Sequence, residues 1–125
     1  MSNPLPVNAV VWAEIPVSDM AKSKAFYAAV VGNELVDEEN SPNPMSNLPC
    51  KDFMSGVAGH IYPGKSAGNG AGNTIHLAAA GKIEEAMARV KQAGGQVVSP
   101  VIEIPAGKFA YCLDLDGNSI GIFGA

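Results

Sequence analysis

Cysteine is nearly absent: Cys50 and Cys112 are the only two in 125 residues, far apart and outside any Cys-x-x-Cys spacing. That argues against a disulfide scaffold or a cysteine metal knuckle, and the expectation is two free thiols, with Cys112 buried in a strand. Histidine is equally scarce, at His60 and His76. Charged residues make up 16% of the chain, with a net charge of −4 and a pI near 5.0. Nothing here neutralises a row of phosphates, so nucleic acid is not an expected partner. No basic amphipathic stretch suits a membrane surface, and no apolar run approaches the roughly 20 residues of a membrane span. The opening "MSNPLPVNAVVW" has prolines at 4 and 6 and no charged n-region, unlike a secretion signal. A cytoplasmic protein is expected. With 47% apolar residues, the chain should fold as one ordered domain over residues 1–125.

What is present reads as a repeat. Residues 9–17, "AVVWAEIPV", suit a strand. Ser18 or Asp19 then caps a helix from Met20 to Val31, with Met20, Phe26, Tyr27, Val30 and Val31 on one side, Lys22, Ser23 and Lys24 on the other, and Gly32 as its stop. "ELVDEE" opens a second strand, residues 40–49 form a proline-rich loop, and two strands follow near Lys51 to Met54 and Val57 to Tyr62. The first module thus covers about 8–63. Glycine-rich residues 64–73 link it to a second module, 74–125. There "TIHLAAA" is a strand, and Ile83, Ala86, Met87, Val90 and Ala93 mark a helical stripe ended by Gly94 and Gly95. "QVVSPVIEI", "KFAYCLDL" and "NSIGIF" supply three more strands. Laying one helix over the other places Met20 on Ile83, Tyr27 on Val90 and Gly32 on Gly95. Each half is strand, helix, three strands. The fold class is α+β: two βαβββ modules forming a cupped eight-stranded mixed sheet around a cleft.

This doubled pattern resembles the vicinal-oxygen-chelate superfamily, which includes glyoxalase I, bleomycin-resistance proteins and extradiol dioxygenases. "IPVSDMAKSKAFYAAVVGNEL", "IEEAMARVKQAGGQVV" and "DLDGNSIGIF" carry the likeness, with Asp19, Ser23, Phe26, Tyr27 and Gly32 in the family's order. The resemblance implies a cleft facing a divalent metal, held by one His, Gln or Glu from each of four strands, as suits Zn, Ni, Fe or Mn. On this chain the four positions fall on Trp12, Ile75 (next to His76), His60 and Gly121. Indole N–H is a donor only, and glycine has no side chain. The resemblance therefore implies the frame of a chelating site without most of its chelators. "WAEIP", residues 12–16, is similar to the first strand of small glyoxalase-like domains. The resemblance also implies a homodimer.

Other motifs have plainer readings. "GHIYPGKS", residues 59–66, matches G-x-x-x-x-G-K-[ST], but "AGNGAGN" follows where a helix would be needed, so Lys65 is read as an exposed linker residue. "DEEN" is a solvated acidic cluster, and "DLDGN" is a turn rather than a calcium loop, since it lacks the distal Glu.

The expected function is metal-free binding of an apolar or aromatic small molecule. Trp12 provides a flat stacking surface. Tyr62, Phe109, Tyr111 and Phe123 extend its wall, and the 40–49 loop covers it. Glu14, His60, Tyr62, His76, Tyr111 and Gly121 complete the ligand-binding set. Glu14 is the candidate general base if its pKa is raised, or a structural carboxylate. An alternative is a lyase or dioxygenase with a rearranged metal site of His60, His76 and Glu14, akin to a two-His, one-carboxylate centre. A third reading is an accessory domain without a ligand.

Overall fold

The structure is a computed structural model that describes residues 3–39, 41–53 and 55–125. Its elements run β1 (Ala13–Val17), α1 (Met20–Val31), β2 (Val36–Asp37), β3 (Ser46–Asn47), β4 (Gly59–Pro63), β5 (Ile75–Ala78), α2 (Ile83–Gln92), β6 (Gln96–Val97), β7 (Ile102–Ile104), β8 (Gly107–Leu113) and β9 (Ser119–Gly124). They form a four-stranded sheet in the order β1-β4-β3-β2 and a second in the order β5-β9-β8-β6, with β7 also on β8. Both sheets are mixed, because β1 runs parallel to β4 and β5 parallel to β9.

α1 forms where its signals predict. The Asp19 carboxylate accepts from the Lys22 N–H at 3.0 Å, and Gly32 closes the helix at φ 86°, a conformation that suits glycine. A Cβ at Gly32 would also lie only 2.6 Å from Ala80 Cβ. In α2, Glu84 and Glu85 occupy the first turn and Arg89 and Lys91 the last, matching the helix dipole. Ser23, expected on the outer side of α1, is buried beside Phe26 and Tyr27. It lies one turn from both, so it belongs to the same stripe.

One core joins the modules. Phe26, Tyr27 and Val30 of α1 and Ile83, Ala86 and Val90 of α2 pack on Ile15, Val17 and Ile61 of the first sheet and Ala110, Cys112, Ile120 and Ile122 of the second. A polar hub ties them further. Asp114, 5% exposed, accepts from Tyr27 O–H at 2.5 Å, from Asn118 Nδ2 at 2.9 Å, and from the backbone N–H groups of Asp116 and Asn118 at 2.9 Å each. Asn118 also donates to the Pro16 carbonyl at 2.8 Å. The Arg89 guanidinium donates to the carbonyls of Ala29, Val30 and Ala80, capping the end of α1 from the other module.

Several strands differ from the sequence pattern. Among the described residues the cupped, mixed β-structure comprises two sheets, of four and five strands, with no strand pairing between them. "QVVSPVIEI" splits into β6 and β7 because Pro100 lacks an N–H, and the Ser99 hydroxyl accepts from Tyr111 N–H at 2.8 Å at the break. The 40–49 loop holds β3, where Ser46 and Asn47 pair with Ile61 and His60 between the flanking prolines. No strand forms at Lys51–Phe53, where Gly56 N–H closes a turn on the Asp52 carbonyl at 2.7 Å; Met54 lies outside the described residues. Residues 9–12 precede β1 and stay exposed. No described helix is long and apolar enough to cross a membrane.

Candidate functional site

Strand alternation sorts each sheet into two faces. Ile15, Val17 and Ile61 face the helices, so Glu14, Pro16, His60 and Tyr62 face away. In the second sheet Ile120, Ile122, Ala110 and Cys112 face the helices, which leaves His76, Gly121, Phe123, Tyr111 and Phe109 on the opposite side. Every expected ligand-binding residue within a strand therefore lies on a helix-free face.

β1 and β5 are free sheet edges, and a groove of about 1140 Å³ runs between them. Trp12, Glu14 and Pro16 line it from the first module, with Leu48 and Pro49 at the end of the expected covering loop. Thr74, His76 and Ala78 line it from the second, with Ala67, Ala71 and Gly72 of the glycine-rich linker. His60, Tyr62, Tyr111 and Gly121 are not among the lining residues. Pro16 sits in register opposite Tyr62. The N–H of Ala13 and the carbonyl of Val17 point to the β4 side, so by alternation the missing N–H of Pro16 belongs to the free edge, where it breaks no ladder.

His60 organises the first wall. The Trp12 Nε1–H donates to His60 Nδ1 at 2.9 Å, and His60 Nε2 lies 3.2 Å from Glu14 Oε1. With Nδ1 accepting, the imidazole carries its proton on Nε2 and donates it to Glu14. The imidazole is buried, whereas the Glu14 side chain is 68% exposed. The Glu14 carboxylate therefore keeps its contact with solvent.

His76 organises the second wall. Ile75, the position matched by the helix repeat, pairs with Ile120 and packs against the core; His76 pairs with Gly121. A Cβ at Gly121 would overlap the His76 imidazole. The ring stands edge-on to Phe109, Phe123 and Tyr111 at centroid distances of 5.2, 5.5 and 5.8 Å. Imidazole thus fills the space of a side chain at 121.

These donors do not fit a divalent ion. Trp12 offers only an N–H, both nitrogens of His60 are engaged, and Gly121 is covered by His76. Among the described residues no three His, Cys, Asp or Glu side chains converge. The linkage of Trp12 to Glu14 through His60 was not legible beforehand; the one clue was that Trp12 and His60 both fall on positions that the family resemblance assigns to ligands.

The pattern of the Glyoxalase/Bleomycin resistance protein/Dioxygenase superfamily matches residues 9–122. The chain belongs to this superfamily. The solved structure of a glyoxalase/bleomycin resistance protein from Albidiferax ferrireducens T118 is 22% identical, with a TM-score of 0.71 over 94% of this chain and 99% of that one. TnmS3, an antibiotic binding protein from Streptomyces sp. CB03234, is 24% identical, with a TM-score of 0.60 over 97% and 98%. A glyoxalase I mutant from Zea mays is 19% identical, with a TM-score of 0.67 over 91% of this chain but 46% of its own. At these identities the likeness is one of fold. None of the curated proteins compared with the chain matches it.

Proposed function

We propose that this superfamily member is a metal-free binder of an apolar or aromatic small molecule, held in the groove between β1 and β5. The observation that carries this reading is the Trp12–His60 hydrogen bond. It turns a family chelating position into a fixed aromatic wall and occupies the His60 nitrogen that would otherwise meet a ligand. Apolar lining by Leu48, Pro49, Val57 and Ala78 supports it. So does the fold shared with TnmS3, named an antibiotic binding protein.

A second copy of the chain is part of the proposal. Beyond the groove lining, Phe53 of the first module and Val98, Ile104 and Tyr111 of the second are exposed large apolar residues. Faces of this kind are usually covered by a partner. Free Cys50 and Cys112 agree with a reducing, cytoplasmic setting.

Quenching of Trp12 fluorescence by a panel of planar aromatic compounds tests the reading, together with elemental analysis of protein purified without chelator. Saturable quenching without stoichiometric metal is expected. Stoichiometric Zn, Fe, Mn or Ni that is lost on His60→Ala would replace it with the lyase or dioxygenase alternative. No quenching by any compound would favour an accessory domain.

A further inference from the structure

Among the described residues that line the groove, Glu14 is the one acid, and neither lysine nor arginine joins it. Its carboxylate is largely in the open, and His60 engages it at Oε1. Trp12 stands beside it with its N–H already donated to His60, so what the ring offers an incomer is its face and edge. An aromatic face attracts cations through its quadrupole, most strongly in tryptophan. The whole chain, at −4, adds a field of the same sign. An anionic ligand would meet Glu14 with no arginine or lysine on the groove wall to offset it.

We infer that the groove selects an apolar or aromatic ligand bearing a basic nitrogen that is protonated at neutral pH. Glu14 is its counter-ion and Trp12 its stacking surface. His60 is a positioning residue that holds both, since one buried imidazole accepts from the indole and donates to the carboxylate. This deepens the small-molecule reading above and rests on it. A clamp fixed before the ligand arrives loses less side-chain freedom on binding than two independent side chains would.

Calorimetry with three probes sharing one ring system tests it: 2-naphthylmethylamine, 2-naphthalenemethanol and 2-naphthoate. The amine should bind about tenfold more tightly than the alcohol, as a charge-assisted contact exceeds a neutral one. Naphthoate should bind weakest, and the amine's lead should shrink with added salt. Glu14→Gln should leave the alcohol's affinity in place and abolish the amine's lead. For His60, a merely structural role is separated by the side chain's chemistry. His60→Gln, whose amide can both accept and donate, should keep part of the amine preference, whereas His60→Phe, which preserves packing, should lose it. Equal binding of amine and alcohol, tighter binding of naphthoate, or an undiminished preference in Glu14→Gln would overturn the inference while leaving the small-molecule reading standing. Binding of none of the three to the native chain would overturn both.

Discussion

In the first module Glu14 and His60 stand opposite each other on β1 and β4; at the matching places in the second, on β5 and β9, stand His76 and Gly121. The first pair is joined through the imidazole, and the carboxylate is left open to the groove. In the second, the imidazole is exposed, lies over a bare backbone and is flanked by Phe109, Tyr111 and Phe123. One half has become a polar clamp and the other an aromatic platform. A duplicated frame can therefore keep its strand register while its two halves take on different chemistry, because the helix-free faces do not carry the core.

The largest expected effect concerns the element that holds the halves in register. Asp114→Ala removes the acceptor for four hydrogen bonds, including those from Tyr27 of the first module and Asn118, which also bridges to Pro16. Three of those donors would have to find new partners in or near the core. A loss of about 3–5 kcal/mol is expected, read by urea unfolding. A loss under about 1 kcal/mol would mean that the modules are held by packing alone.

Gly121→Glu asks the second half to resemble the first. The new side chain must displace His76, and a cost of about 2 kcal/mol is expected. His76→Ala in the same chain should recover most of it, so the two changes should couple strongly in a double-mutant cycle. Additive effects would show that the His76 ring does not fill that space.

How much of this contrast could be read in the sequence depends on which elements carried it. The helices were legible because their signals are local: Asp19 and Gly32 for α1, and the Ile83 to Ala93 stripe for α2. The strand register was not. The helices repeat at an offset of 63, Met20 onto Ile83, but the strands repeat at 62, Glu14 onto His76 and Pro16 onto Ala78. One extra residue between β5 and α2 turns Ile75 to the core and His76 to the open face, and a one-residue slip exchanges every side chain between faces. β3 was hidden because its pairing with β4 is tertiary and its neighbours Pro44 and Pro49 read as loop. The cleft was legible as a consequence of two one-faced sheets, but not that it would open between two strand edges.

Tyr27→Phe is a milder break of the same hub, since Asp114 keeps three other donors. About 1 kcal/mol is expected at neutral pH. The native chain should carry a further signature. Burial first, then the neighbouring Asp114, push the Tyr27 hydroxyl well above 10.0. Above about pH 10 the unfolded chain releases this proton while the folded chain retains it. The unfolded state then binds fewer protons, so stability falls as pH rises. Tyr27→Phe should show a shallower alkaline decline than the native chain; equal slopes would place the titration elsewhere.

The smallest effect tests whether the clamp serves binding rather than folding. Glu14 is largely exposed and its partner is a single imidazole nitrogen, an arrangement that contributes little to stability in water. In Glu14→Gln the amide oxygen can still accept from His60, so unfolding free energy should stay within about 0.5 kcal/mol of the native value. The contrast with Asp114 is then complete. Both are carboxylates held by hydrogen bonds, but Asp114, in the turn after β8, is enclosed by donors from two modules, and Glu14, on β1, faces an open groove. If Glu14→Gln instead destabilised the chain as much as Tyr27→Phe, the first wall would have to be counted as part of the structural frame, and the difference between the halves would be one of degree.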